Sequence, residues 1–349
     1  PDPNTYPNIQ GFSGPVAIID AWGGGAFDSK RNRLIIWGGG HNDYWGNELY
    51  AFDIDSLRWE RLTDPCPNPT LCAQTNPDGT PASRHTYSGL TYIAHADRFF
   101  ACGGAWACPG GGGGLDKALT FDFNTLQWRD MAPSGSVPAP GFEQSCAYDS
   151  ATKKVYYFNG SGSGFYSYDY DANRWALINS DNRYNYTSVV DPKRRLLFSI
   201  GHGNVFVYDL TQSTLTSQSW TTTGGSAFIA GGALGLAYDS HTDQIVGWDG
   251  GSVYALNPDT KVWTAYTAPY APLPSPQGTF GRWQYVPKYN IFISVNRMGD
   301  NTYFYKLSSG PGTSAVESVP AVKEAEIRVT PNPVRSVAVI HSLFRQAGV

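Results

Sequence analysis

Charge is scarce in this chain. Asp, Glu, Lys and Arg make up 15% of its 349 residues, against roughly 25% in ordinary soluble domains. The formal net charge of −4 provides no basic field for nucleic acid, so no nucleic-acid partner is expected. No apolar run approaches the roughly 20 residues a membrane-crossing helix needs, so no membrane span is expected. No secretory leader is recognisable; a chain that begins at Pro1 rather than Met fits a mature form whose leader has been removed.

Cysteine is sparse as well, with five in the chain, but its placement is suggestive. Cys66 and Cys72 bracket Pro67-Asn68-Pro69-Thr70-Leu71, and Cys102 and Cys108 bracket Gly103-Gly104-Ala105-Trp106-Ala107. Each pair is predicted to close a small loop as a disulfide, which favours an oxidising compartment: extracellular or at the cell surface, after export. No His lies at ligand spacing from either pair, so no metal is expected there. Cys146 reads as a small buried hydrophobe on an inner strand.

Glycine and aromatics are abundant: Gly 39, Tyr 22 and Trp 11. They recur in order. A strand ends in Asp-Ser-x-x-x-Arg/Lys, a second apolar strand runs into glycines, a third ends Tyr-x-Phe/Tyr-Asp, and a Trp stands six residues past that Asp. The third-strand part reads Tyr50-Ala51-Phe52-Asp53 to Trp59, Phe121-Asp122 to Trp128, Tyr168-Asp169 to Trp175, and Tyr254-Ala255-Leu256-Asn257 to Trp263. A looser copy begins at Tyr208-Asp209 and reaches Trp220 late. Trp128, Trp175, Trp220 and Trp263 are 47, 45 and 43 residues apart. Four short strands per period of about 45 residues specify a repeat architecture.

The double glycines of Gly38-Gly39-Gly40, Gly103-Gly104 and Gly250-Gly251, with the later Trp, resemble the kelch family of β-propellers over residues 20 to 308. The resemblance implies an all-β propeller and says little of function, because propellers host enzymes, lectins and scaffolds alike. Six blades are preferred, with repeats at about Ala21–Leu62, Arg84–Met131, Phe142–Asn179, Tyr184–Thr221, Leu234–Tyr266 and Arg282–Leu307; seven remain an alternative. A Pro- and Cys-rich insertion spans Thr63 to Ser83. The sixth repeat lacks a Trp strand, and Pro15-Val16-Ala17-Ile18-Ile19-Asp20 is expected to supply it as a strand that closes the ring.

The propeller is assigned residues 1–308, a linker 309–324, and a C-terminal β tail 325–349. In the tail, Ala325 to Val334 runs through Pro331-Asn332-Pro333 into Ser336-Val337-Ala338-Val339-Ile340. It resembles the opening of the C-terminal sorting domain of the type IX secretion system. Self-association by strand addition through this tail is one expectation.

In an up-and-down blade, inner-strand starts and the loops after second strands meet at one mouth of the ring. That rule collects His41, Asp43, Tyr44, Trp45, Arg84, His85, Tyr87, Trp106, Glu143, Arg183, Tyr184, Tyr186, His202, Asp249, Arg282 and Trp283. Aromatic faces and Arg forks suit a polysaccharide or glycan, especially an anionic one, with Tyr44, Trp45, Arg84, Trp106, Tyr186, His202, Arg282 and Trp283 as ligand contacts. Polysaccharide lyases on propellers use a His or Tyr base and acid and an Arg that neutralises a uronate. The catalytic candidates here are His85 or His41 as base, Tyr184 or Tyr186 as acid, and Arg183, Arg84 or Arg282 as neutraliser. The kelch resemblance also suggests the copper site of galactose oxidase, but the tail has no ligand-bearing domain of that kind, so no cofactor is expected.

Overall fold

The computed structural model describes residues 6–114, 116–162, 164–268 and 270–309. They form a six-bladed β-propeller. Blade 1 holds strands Gly24–Asp28, Arg33–Trp37, Tyr50–Asp53 and Arg58–Arg61, each antiparallel to the next. Blades 2 to 5 repeat that order, starting from inner strands Leu90–Ile93, Ser145–Asp149, Thr187–Asp191 and Gly235–Asp239. Blade 6 has three strands among the described residues: Trp283–Val286, Ile291–Val295 and Thr302–Tyr305.

Two side chains of the repeat explain why it folds this way. The Asp that ends an inner strand accepts the N–H groups of the turn behind it. Asp28 bonds Lys30 and Arg31, Asp191 bonds Lys193 and Arg194, and Asp239 bonds His241 and Thr242. The Asp that ends the third strand does the same: Asp53 caps Ser56, Asp122 caps Asn124, Asp169 caps Ala172, and Asn257 stands in for it at Asp259. The turn sets the register, so the Trp six residues on falls opposite the strand-three aromatic or Leu. Phe52 pairs with Trp59, Phe121 with Trp128, Tyr168 with Trp175 and Leu256 with Trp263. Such cross-strand pairs, packed against the next blade, are what stabilises the sheet. In blade 4 the outer strand shrinks to Gln218–Ser219, and Trp220 instead meets Phe198 edge-on at 5.4 Å.

Among the described residues the ring closes without strand exchange. Pro15–Asp20 is not a strand: Gly14–Val16 is a 3₁₀ turn and Ala17–Asp20 one turn of α-helix. Pro15 sits at the start of the 3₁₀ turn, and the helix is wedged between blades 1 and 6. There Ile18 and Ile19 pack with Leu34, Ile36, Ile293 and Val295. A Cβ on Gly23 would lie 2.1 Å from the Ile18 carbonyl oxygen, so the helix needs glycine beneath it. Closure itself rests on backbone contact between Gly25 and Gly281 and on Arg282, whose Nε donates to the Gly23 carbonyl at 2.7 Å. On the outside, Lys288 and Tyr289 both bond Asp55 at 2.8 Å.

The cysteines pair differently from the sequence expectation. The disulfide is Cys72–Cys108, while Cys66 and Cys102 are buried thiols, as is Cys146. Cys72 lies in the insertion and Cys108 in the second-to-third loop of blade 2, so the bridge ties the insertion to the neighbouring blade. Cys102 ends a strand inside the core between blades 2 and 3, packed with Cys146 and Tyr157. The tail at 325–349 and nearly all of the linker lie outside the described residues.

Candidate functional site at the propeller mouth

One backbone position repeats at the mouth. Trp22, Tyr87, Glu143, Asn185, Ala233 and Phe280, each two or three residues before an inner strand, all have positive φ, between 47° and 57°. Main-chain bonds run from one to the next: Tyr87 N–H to Trp22 C=O, Asn185 to Glu143, Ala233 to Asn185, and Phe280 to Ala233. The left-handed turn brings these six residues around the axis. Tyr87, Ala233 and Phe280, from blades 2, 5 and 6, pack into one cluster, with Tyr87 and Phe280 rings 5.8 Å apart. These three side chains therefore pack across the axis at this level.

Two polar groups flank Tyr87. On one side His85 Nε2 lies 2.9 Å from Asp43 Oδ2, with the His41 ring 5.5 Å and the Trp22 ring 4.8 Å from the His85 ring. The His85 bond holds the Asp43 carboxyl below its ordinary range, and Ser13 adds a second bond. Burial pulls the His85 imidazole below its ordinary value despite Asp43, so it stays neutral at neutral pH. An ionised Asp43 requires the proton on Nε2, which leaves Nδ1 as the basic nitrogen. On the other side lies Glu143, whose carboxyl is raised by burial, with Tyr184 and His202 nearby. Tyr184 is 45% exposed. Tyr186 packs 5.2 Å from His202 and takes a bond from Asn204. The Tyr87 hydroxyl is raised by burial first, then by Glu143 and Tyr184.

The structure thus groups these candidates in two sets, His41 with His85 on one side of Tyr87, and Tyr184, Tyr186 and His202 around Glu143 on the other. It withdraws the arginines. Arg84 is buried, donates to the Ala82 and Gly103 carbonyls and lies over Trp37. Arg282 is buried and bonds five acceptors at the ring closure. Arg183 lies on Phe206 at 3.8 Å and bonds Tyr208, Asp181 and the Asn182 carbonyl. None of the three is a free fork for a ligand carboxylate: Arg84 and Arg282 serve backbone carbonyls that need donors, and Arg183 is held by Tyr208 and Asp181. Tyr44 and Trp283 are buried too. Tyr44 donates to Glu48 at 2.7 Å and Trp283 stacks on Phe292, so neither ring offers a face to a sugar.

Trp45 and Trp106 are half-buried at the blade 1 and blade 2 loops. In the glycine run of 110–114, a Cβ on Gly112 would lie 2.2 Å from His41 Cδ2 and one on Gly113 3.3 Å from the Trp106 ring, while Gly110 faces open space. Sequence reasoning passed over Asn185, Ala233 and Phe280. The signal was their place in the repeat, matching Trp22, Tyr87 and Glu143. Asn185 Oδ1 is buried with no hydrogen-bond partner among the described residues. Among the described residues no group of three or more His, Cys, Asp or Glu side chains is arranged to hold a metal, and no helix is long and apolar enough to cross a membrane. No protein-family model matches the chain, and no curated protein matches its sequence.

Proposed function

We propose that this chain is an exported, kelch-like propeller whose mouth binds an uncharged sugar of an extracellular glycan. The observation that carries the reading is the exposed Tyr184 beside Glu143 on one side of Tyr87 and the His85–Asp43 pair on the other. An aromatic face flanked by fixed donors and acceptors is what a sugar ring and its hydroxyls require. With Arg84, Arg183 and Arg282 engaged by groups of the protein itself, the mouth favours a neutral ligand over the anionic one that residue types alone suggested. The Cys72–Cys108 disulfide supports export. Calorimetric titration with neutral and uronate-bearing oligosaccharides tests this. Saturable binding of a neutral sugar, weakened at least tenfold in Tyr184→Ala and less in Tyr184→Phe, is expected. No binding of any neutral sugar, or binding that Tyr184→Ala leaves unchanged, overturns the proposal.

One observation favours a second reading. A neutral His85, oriented by Asp43, has the form of a general base, with Tyr184, beyond Tyr87, as the candidate acid. Elimination from a uronate also needs a cation at the carboxylate, and the three candidate arginines are engaged elsewhere, so catalysis ranks below binding. Turnover of any polysaccharide that is lost in His85→Ala with the fold intact would reverse that order.

A further inference from the structure

Blade 6 stops at its third strand among the described residues, while the other five blades each have a fourth. The consequence is visible in the side chains. Phe52, Phe121, Tyr168, Tyr208 and Leu256 occupy one register position on the third strands, and all are sealed from solvent. Tyr305 occupies that position in blade 6, opposite Phe292, and is only half-buried, as are Tyr303 and Phe304 beside it. Alternate N–H and C=O groups of Thr302–Tyr305 face away from Ile291–Val295, with no strand among the described residues to receive them. Elsewhere the molecule covers its outer edges: Ser134–Gly135 adds a parallel strand to blade 3, and Thr223 bridges Val262 on blade 5.

We propose that Glu326-Ile327-Arg328-Val329-Thr330 of the same chain docks on this edge as the fourth strand of blade 6. The outer strands of the other blades alternate exposed polar residues with one apolar anchor, as in Arg58-Trp59-Glu60-Arg61 and Gln127-Trp128-Arg129-Asp130. Glu326 to Thr330 has that alternation, with Ile327 and Val329 as anchors and a charge on either side. The later run Val337-Ala338-Val339-Ile340 is apolar on both faces and does not suit a half-exposed edge. Reach is ample. The 18 Cα–Cα steps from Leu307 to Ala325 extend to about 60 Å, and a short tether favours a segment of the same chain over a second copy.

Hydrogen exchange on the full chain tests the proposal. The outward amides of Thr302–Tyr305 are expected to be protected, and to exchange at least tenfold faster in Ile327→Pro/Val329→Pro, with the other five blades unchanged. Ile327→Asp/Val329→Asp is a second variant that leaves the backbone donors in place and should give the same result. Outward amides that are unprotected in the unaltered chain, or protection that survives both variants, would overturn it. So would a concentration-dependent dimer that the variants dissociate, which would place a second copy on the edge instead.

Discussion

Arg282 is the most demanding buried group at the seam of the ring, and its removal should open that seam. Its guanidinium donates to Gly23 C=O at 2.7 Å, Val295 C=O at 2.8 Å, Asn296 C=O at 3.1 Å, Ser275 Oγ at 3.0 Å and Gly278 C=O at 2.5 Å. Gly23 and Arg282 stand 259 residues apart, so this one side chain bonds the first blade to the last. Arg282→Ala leaves four carbonyls without a donor in a closed space. An unsatisfied buried polar group costs about 1–3 kcal/mol. Water entering the cavity and relief from burying the guanidinium offset part of that sum. The net loss should be about 4 kcal/mol, near the 3–5 kcal/mol typical of breaking a buried charged network. Arg282→Lys keeps the charge but offers three donors from a compact head, so about half the loss should return. Denaturant unfolding followed by Trp fluorescence measures both. A change below about 1 kcal/mol for Arg282→Ala would show that the seam is held by packing alone.

Asp249 accepts a bond from Thr279 at 2.8 Å, and burial raises its carboxyl to about 6. A carboxyl raised in the folded state adds stability that is complete below its unfolded value near 4 and is lost as pH rises through about 6. Stability should therefore fall by about 1 kcal/mol between pH 4 and 6 relative to Asp249→Asn, after allowing for its partial exposure; parallel pH profiles for the two proteins would contradict this. Thiol titration should find no reactive cysteine in the folded chain and three after unfolding without reductant, since Cys66, Cys102 and Cys146 are buried and free; a single thiol after unfolding would mean a second disulfide. Trp175 is sealed between Phe100, Tyr157 and Tyr168, so Trp175→Ala should cost about 3–5 kcal/mol by denaturant unfolding, and a loss under about 1 kcal/mol would mean that the strand-four Trp is not a core residue.

The blades were legible because their signals are local. An Asp that caps its own turn and a Trp six residues later lie within one hairpin, so sequence spacing translates directly into register. What failed was decided between blades. The cysteine pairs looked like small loops, yet Cys72 meets Cys108 because the insertion folds against the next blade. Arg282 sits just before an inner strand as expected, whereas Arg84 lies in a short strand, Arg84–His85, that pairs with Ala105–Trp106 ahead of the inner strand Leu90–Ile93; whether a long side chain at either place points to solvent or inward depends on which carbonyls lack donors. Pro15 to Asp20 has strand composition, and the wedge between blades 1 and 6 holds it as a helix instead. At the mouth, topology named His41, His85, Tyr184 and His202 as candidates. The hydrogen bond between His85 and Asp43 crosses two blades and has no sequence signature.

The most direct test of the mouth as a sugar site is a crystal structure of the chain grown with a neutral oligosaccharide. The account predicts a sugar ring against Tyr184, with hydroxyls bonded to Glu143 and to the His41–His85 side of the mouth. A mouth that stays empty while sugar occupies another surface, or no sugar anywhere at saturating concentration, would contradict it.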